Sequence, residues 1–203
     1  YSGILSGPVS VTKSGAGTQV LSASSSYTGG TSITGGVLQS GANTASGPPV
    51  SGPFGAGTIT INGGTLDLNG TTVANALSLA GTGLGGNGAI INSSTTAGQV
   101  TGAVQLASAS SIGGANPFSI TSTITGTSAL TKLGLGTVTF SGISTYSGAT
   151  TVSAGTLKLT GKIYCTTLAC NLDQNPNAVV TIRSGAVLEI NDWSFWATAF
   201  WAL

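Results

Sequence analysis

The chain has no histidine and no methionine, and only nine of its 203 residues are charged: Lys13, Asp67, Lys132, Lys158, Lys162, Asp173, Arg183, Glu189 and Asp192. An ordinary globular domain has about 25%. Each gap excludes a chemistry. Without histidine there is no Ser–His nucleophile pair. A glycosidase needs two carboxylates flanking one bond. Asp67 and Glu189, at equivalent outward strand positions, lie 122 residues apart and several coils from each other. Glu189 and Asp192 are close in sequence but face different ways at a strand-to-turn junction. The two cysteines, Cys165 and Cys170, make a poor metal site without histidine. A net charge of +1 without basic clusters argues against nucleic acid and anionic membrane surfaces. No apolar run reaches the ~18 residues of a membrane span. No catalytic residue, cofactor site or metal site is expected, and the chain reads as a non-enzyme.

What is present is small and regular. Glycine accounts for 33 residues, and 40% of the chain is hydrophobic. In Leu130–Leu159, Val138 and Phe140 alternate with Thr137, Thr139 and Ser141, and Leu157 and Leu159 alternate with Thr156, Lys158 and Thr160. A period of two means a strand with one buried face. Val138, Phe140, Val152, Leu157 and Leu159 are therefore expected inside, with Thr137, Thr139 and Lys158 outside. Gly142, Gly148 and Gly155 punctuate the runs as corners.

The pattern occurs twice. A shift of 119 positions carries Lys13 onto Lys132, Gly15 onto Gly134, Gly17 onto Gly136, Tyr27 onto Tyr146, Thr31 onto Thr150 and Leu38 onto Leu157. Further on, Leu66-Asp67-Leu68-Asn69 matches Leu188-Glu189-Ile190-Asn191 after small length changes. Repeated strand-and-corner units are the mark of a solenoid. One unit covers about 5–123 and a partial second unit about 124–203, giving a single domain over 1–203. Gln19 falls where Val138 is inward, and a local strand shift is expected there.

TKxGxGT…TYSGxTTVxxGTLxL resembles the autotransporter-associated β-strand repeat of bacterial surface and secreted proteins. The motif is well kept at Thr131–Leu159 and degraded at Thr12–Ser40. The resemblance implies a right-handed parallel β-helix, displayed outside the cell, with a structural or adhesive role and no catalytic residues. Parallel β-helix polysaccharide lyases need clustered carboxylates and a basic residue, and here Arg183 stands alone. Export also favours a small disulfide loop between Cys165 and Cys170 over two free thiols.

The remaining stretches follow from local chemistry. Strands are expected at Ile4-Leu5, Val9–Val11, Thr58–Ile61, Thr65–Leu68, Ala76–Leu79, Ala89–Ile91, Gln99–Leu106 and Phe118–Ile124. Residues 41–55 hold Pro48, Pro49 and Pro53, which cannot donate to a ladder, so this is a loop. Ser108–Pro117 reads as another loop. Gly83–Gly88 imitates a phosphate loop but lacks the Gly-Lys-Ser/Thr ending, so it is a turn. The sequons at Asn69 and Asn92 are expected by chance in such a composition.

Function reads as a stalk, adhesin segment or extracellular fibre subunit. The alternative is a module recognising surface glycan or ice through a flat threonine face or the loops at 41–55 and 160–178. Ser10-x-Thr12, Ser32-x-Thr34, Thr58-x-Thr60, Thr121-x-Thr123 and Thr137-x-Thr139 are the candidates for such a face, and their irregular spacing argues against one file. The tail holds Trp193, Phe195, Trp196, Phe200 and Trp201, an interface or a cap over the core. Neither end shows a polar cap, so the solenoid is expected to continue or to stack end to end with copies of itself.

Overall fold

A computed structural model describes residues 1–45, 47, 50–160 and 179–191. Every strand is short, because each alternating run ends at a glycine or polar corner after three to five residues in nearly every case. The chain winds through successive coils. The first holds β1 (Val11–Lys13) and β2 (Thr18–Leu21), and the second β3 (Thr31–Ile33) and β4 (Val37–Ser40). The third holds β5 (Ile59–Asn62), β6 (Thr65–Asp67) and β7 (Thr72–Val73). The fourth holds β8 (Leu77–Gly81), β9 (Ile90–Ile91) and β10 (Gly98–Val100), and the fifth β11 (Val104–Gly113) and β12 (Phe118–Ile120). The sixth holds β13 (Ile124–Gly126), β14 (Leu130–Lys132) and β15 (Thr137–Phe140). β16 (Thr150–Val152) and β17 (Thr156–Leu159) follow in the seventh, and β18 (Val180–Ile182) and β19 (Val187–Ile190) in the last described coil.

Each strand pairs in parallel with the strand one coil away, which makes three faces. The first runs β1-β3-β5-β8-β11-β13 and the second β2-β4-β6-β9-β11-β14-β16-β18. β11 serves both, since its first half pairs β13 and its second half pairs β14. The third face is β7-β10-β12-β15-β17-β19. This is the parallel β-helix that the repeat implies.

The core is a set of stacked apolar files. On the third face Val100, Ile120, Phe140 and Leu159 stand in register, and all are buried. Val138, Val152 and Leu157 are buried too, while Thr137, Thr139 and Lys158 point outward and are half-buried. The period-two reading therefore places this stretch correctly.

Five local expectations fail. Ile4-Leu5 and Val9 form no strand, and the first strand begins at Val11. Ser108–Gly113 is not loop but the second half of β11. Ser110 and Ser111 are buried there, so a polar composition hides a packed strand. Gln99–Leu106 is not one strand, because the chain turns a corner at Thr101–Ala103 between β10 and β11, and Phe118–Ile124 is not one strand either, because a corner at Thr121–Thr123 separates β12 from β13. The strand at Gln19 is not shifted: Gln19 pairs with Leu38 just as Val138 pairs with Leu157. The inward slot is simply polar, and it is exposed because β2 is a sheet edge.

The two units do not superpose by translation along the axis. Lys13 lies on the first face, in line with Ile33, Ile61, Leu79 and Leu106. Lys132 lies on the second, in line with Ile112 and Val152. The second unit is thus rotated by one face. Its first strand sits where the second strand of the first unit would.

Candidate functional site: corners, faces and open ends

At each repeat corner the chain needs a left-handed residue, supplied by Gly15 (φ 71°) and Gly134 (φ 69°). The turn leaves backbone carbonyls without a ladder partner. The preceding lysine satisfies them. Lys132 Nζ donates to the carbonyls of Leu133 and Gly134 at 2.8 Å and to Ala154, one coil on, at 3.0 Å. Lys13 Nζ repeats the arrangement with Ser14 at 2.8 Å, Gly15 at 2.7 Å and Gly35 at 3.1 Å. Lys132 is 1% exposed. Burial pushes its ammonium down to about 8, so it stays charged at neutral pH.

A second device repeats beside it. The Tyr27 and Tyr146 hydroxyls bond the Thr31 and Thr150 hydroxyls, each at 2.6 Å. A buried phenol needs such a partner. Thr31 also donates to the Phe54 carbonyl at 3.2 Å, and Phe54 is fully buried. Residues 51–55 of the proline loop therefore seal the core beside Tyr27. Neither lysine nor tyrosine was singled out by sequence reasoning as a built site, although both pairs align across the repeat. A lysine reads as solvated surface unless the corner carbonyls are known.

The outward positions are nearly free of charge. Asp67 does face outward, but it is buried: its carboxylate accepts from the Asn69 N–H at 3.0 Å, the Ser93 N–H at 2.9 Å and Gln39 Nε2 at 2.8 Å. Glu189 instead pairs with Lys158 at 2.8 Å on the third face, and that contact holds its carboxyl below the usual range. The two acids occupy equivalent strand positions and different environments. Both sequon asparagines are engaged: Asn69 Nδ2 donates to Ser40, and Asn92 Nδ2 donates to Ser94, Thr96 and Pro117. The glycine turn is a short 3-10 segment, Leu84–Gly86, held through Thr65 Oγ1.

Three of the five threonine candidates do share a face. Thr12, Ser32 and Thr60 stand in register on the first face, and the file runs on through Ser78, Gln105 and Thr125. The irregular spacing is absorbed by loops that leave the coil. A shallow groove of about 430 Å³ lies along the N-terminal end of this file, among Ser10, Thr28, Thr58 and their neighbours. Thr137 and Thr139 lie on the third face.

Among the described residues, exposed large apolar side chains gather at the two ends. Tyr1, Ile4, Val9 and Val20 belong to the first coil and its lead-in, and Val179, Ile182, Val187 and Ile190 to the last described coil. Only Leu84, Leu135 and Ile143 lie between. Cys165, Cys170, Trp193, Phe195, Trp196, Phe200 and Trp201 lie outside the described residues.

With this geometry in place the comparison with known families is direct. A family model described as the passenger-associated-transport repeat matches residues 11–39 and 130–159. The chain carries two passenger-associated-transport repeats. Each match contains one corner lysine and one buried threonine from the hydroxyl pairs, and the intervening tyrosines lie within the matched spans. The repeat implies a passenger-type segment of the kind that autotransporters display outside the cell. No curated protein and no solved structure matches the chain. No helix among the described residues is long and apolar enough to cross a membrane.

Proposed function

We propose that the chain is a rigid structural segment of the bacterial exterior, a stalk, adhesin segment or fibre subunit, and that it performs no catalysis. One observation carries this reading: a continuous parallel ladder over stacked apolar files runs through every described coil, and its outward positions carry almost no charge. Its partner in this reading is a second copy of the chain, stacked end to end. Sparse charge favours this, since little self-repulsion opposes close association.

Sedimentation of the purified chain over a range of concentrations, with electron microscopy of the same samples, tests it. Rods that lengthen with concentration are the expected result. Isolated particles at every concentration, together with turnover of a polysaccharide substrate, would overturn it. A second reading is favoured by the in-register file from Thr12 to Thr125: a neutral, hydroxyl-bearing face that meets surface glycan or ice. In that case Thr60→Lys abolishes binding to an immobilised neutral polysaccharide or inhibition of ice recrystallisation, and leaves rod formation unchanged.

A further inference from the structure

The corner lysines have a feature that strand stacking alone does not require. Each ammonium is held by three neutral carbonyls, two from its own corner and one from the next coil. Among the described residues no carboxylate balances it. Of the two described acids, Asp67 is occupied by three N–H donors and Glu189 by Lys158 and Asn191. Three carbonyls converging on one point are a cation site, of the kind that backbone oxygens make in ion filters. The distances, 2.7–3.1 Å, suit N–H···O bonds. They exceed the 2.3–2.6 Å of calcium and the 2.0–2.1 Å of magnesium. With no negative charge in the shell, the site has nothing to offset the dehydration of a divalent ion.

We infer that each repeat corner is an ammonium-binding site whose resident ion is the tethered head of its own lysine, and that removing the lysine side chain opens the site to a free ammonium ion. The carbonyl positions are set by Gly134 and Gly155 in one unit and Gly15 and Gly36 in the other, all left-handed at φ 62–71°. They belong to the backbone and persist when the side chain is cut. The occupant bridges two coils, so filling the site favours the folded state.

The test is thermal unfolding of Lys132→Ala in ammonium chloride, against lithium chloride and tetramethylammonium chloride at equal ionic strength. The midpoint falls on substitution and recovers with ammonium, saturably. At tenfold excess over Kd the folded-to-unfolded ratio rises about elevenfold. Lithium is too small to span the three carbonyls, and tetramethylammonium has no N–H to donate, so neither restores it. Wild type shows no ammonium-specific shift, and neither does Lys132→Met, whose side chain fills the space. Equal recovery in all three salts, or none in ammonium, overturns the inference. If Lys132→Ala does not fold, Lys13→Ala on the outermost coil carries the same comparison, and a lack of ammonium-specific recovery there is equally decisive.

Discussion

The two repeats carry the same corner, the same lysine and the same Tyr–Thr pair, yet one is well kept and the other degraded. Their neighbours explain the difference. Repeat two lies between coils: β14 packs between β11 and β16, and β15 between β12 and β17. Repeat one begins on the sheet edges β1 and β2. Gln19 stands in the place of Val138 on the edge strand β2, where its side chain is exposed. Lys13 is 9% exposed where Lys132 is 1%. A solenoid motif is thus enforced by the coils above and below as much as by its own turns.

The largest test of this comparison is in the core. Phe140→Ala is expected to cost about 3–5 kcal/mol. The same truncation at its counterpart, Leu21→Ala, should cost no more than about 2 kcal/mol, the low end for leucine, since Leu21 has an open side. Denaturant midpoints of the two variants check it, and equal losses would mean that the edge coil is as tightly packed as the interior. Next come the lysines. Lys132→Met leaves buried carbonyls unpaired and should cost about 2–3 kcal/mol, and Lys13→Met about 1 kcal/mol, because water can reach the end corner. Chemical denaturation with unchanged m-values would confirm that stability, not compactness, has moved.

Much of this was legible in the residues. The inward set Val138, Phe140, Leu157 and Leu159 follows from period two, which is a local property. The second half of β11 was not legible, because Ser108–Ser111 shows no apolar alternation and two of its serines are buried anyway. The one-face rotation between units was hidden as well. The loops at 41–55 and 83–88 were legible as loops, but how far each carries the chain around the coil was not, and the register depends on that. Asp67 was placed correctly as outward, but its burial depends on residues 92–96 folding over it. The lysines were visible as a repeated position. Their role was not, since it depends on carbonyls that only the turn brings together.

The glycines give a sharper contrast of smaller size. A Cβ on Gly136 would lie 2.6 Å from the Asn116 carbonyl oxygen of the coil below, whereas a Cβ on its counterpart Gly17 meets nothing within 4 Å. Neither has the positive φ that demands glycine. Gly136→Ala should therefore destabilise by about 1–3 kcal/mol through overpacking. Gly17→Ala should be neutral or stabilise by about 0.4–1 kcal/mol by restricting the unfolded chain. One substitution at equivalent positions is expected to change sign. Losses of the same sign and size at both would show that the glycine is required by the corner itself and not by the coil beneath it.

The buried hydroxyl pair is expected to have a small effect at neutral pH, and pH isolates it. Tyr146→Phe removes one hydrogen bond and should cost about 1 kcal/mol at neutral pH. Burial pushes the Tyr146 phenol up to about 12 from its ordinary 10, against a smaller opposing effect of the Thr150 bond. Between these values the folded state keeps a proton that the unfolded chain releases, so stability falls as pH rises, by roughly 1.4 kcal/mol per pH unit for one such group. Tyr27 is raised for the same reason and adds to the fall. Lys132 acts in the opposite sense. Its proton leaves the folded state at about 8 and the unfolded chain at 10.5, so the unfolded chain binds more protons in between and stability rises with pH across that window. The two trends cross near the ordinary tyrosine value, so the joint contribution of these groups is greatest near pH 10. Denaturant midpoints from pH 7 to 12 give the curve. Lys132→Met should flatten its rising limb and Tyr146→Phe should make its falling limb shallower. A curve that falls steadily from pH 7 would show that the carbonyls around Lys132 outweigh the cost of burying its charge.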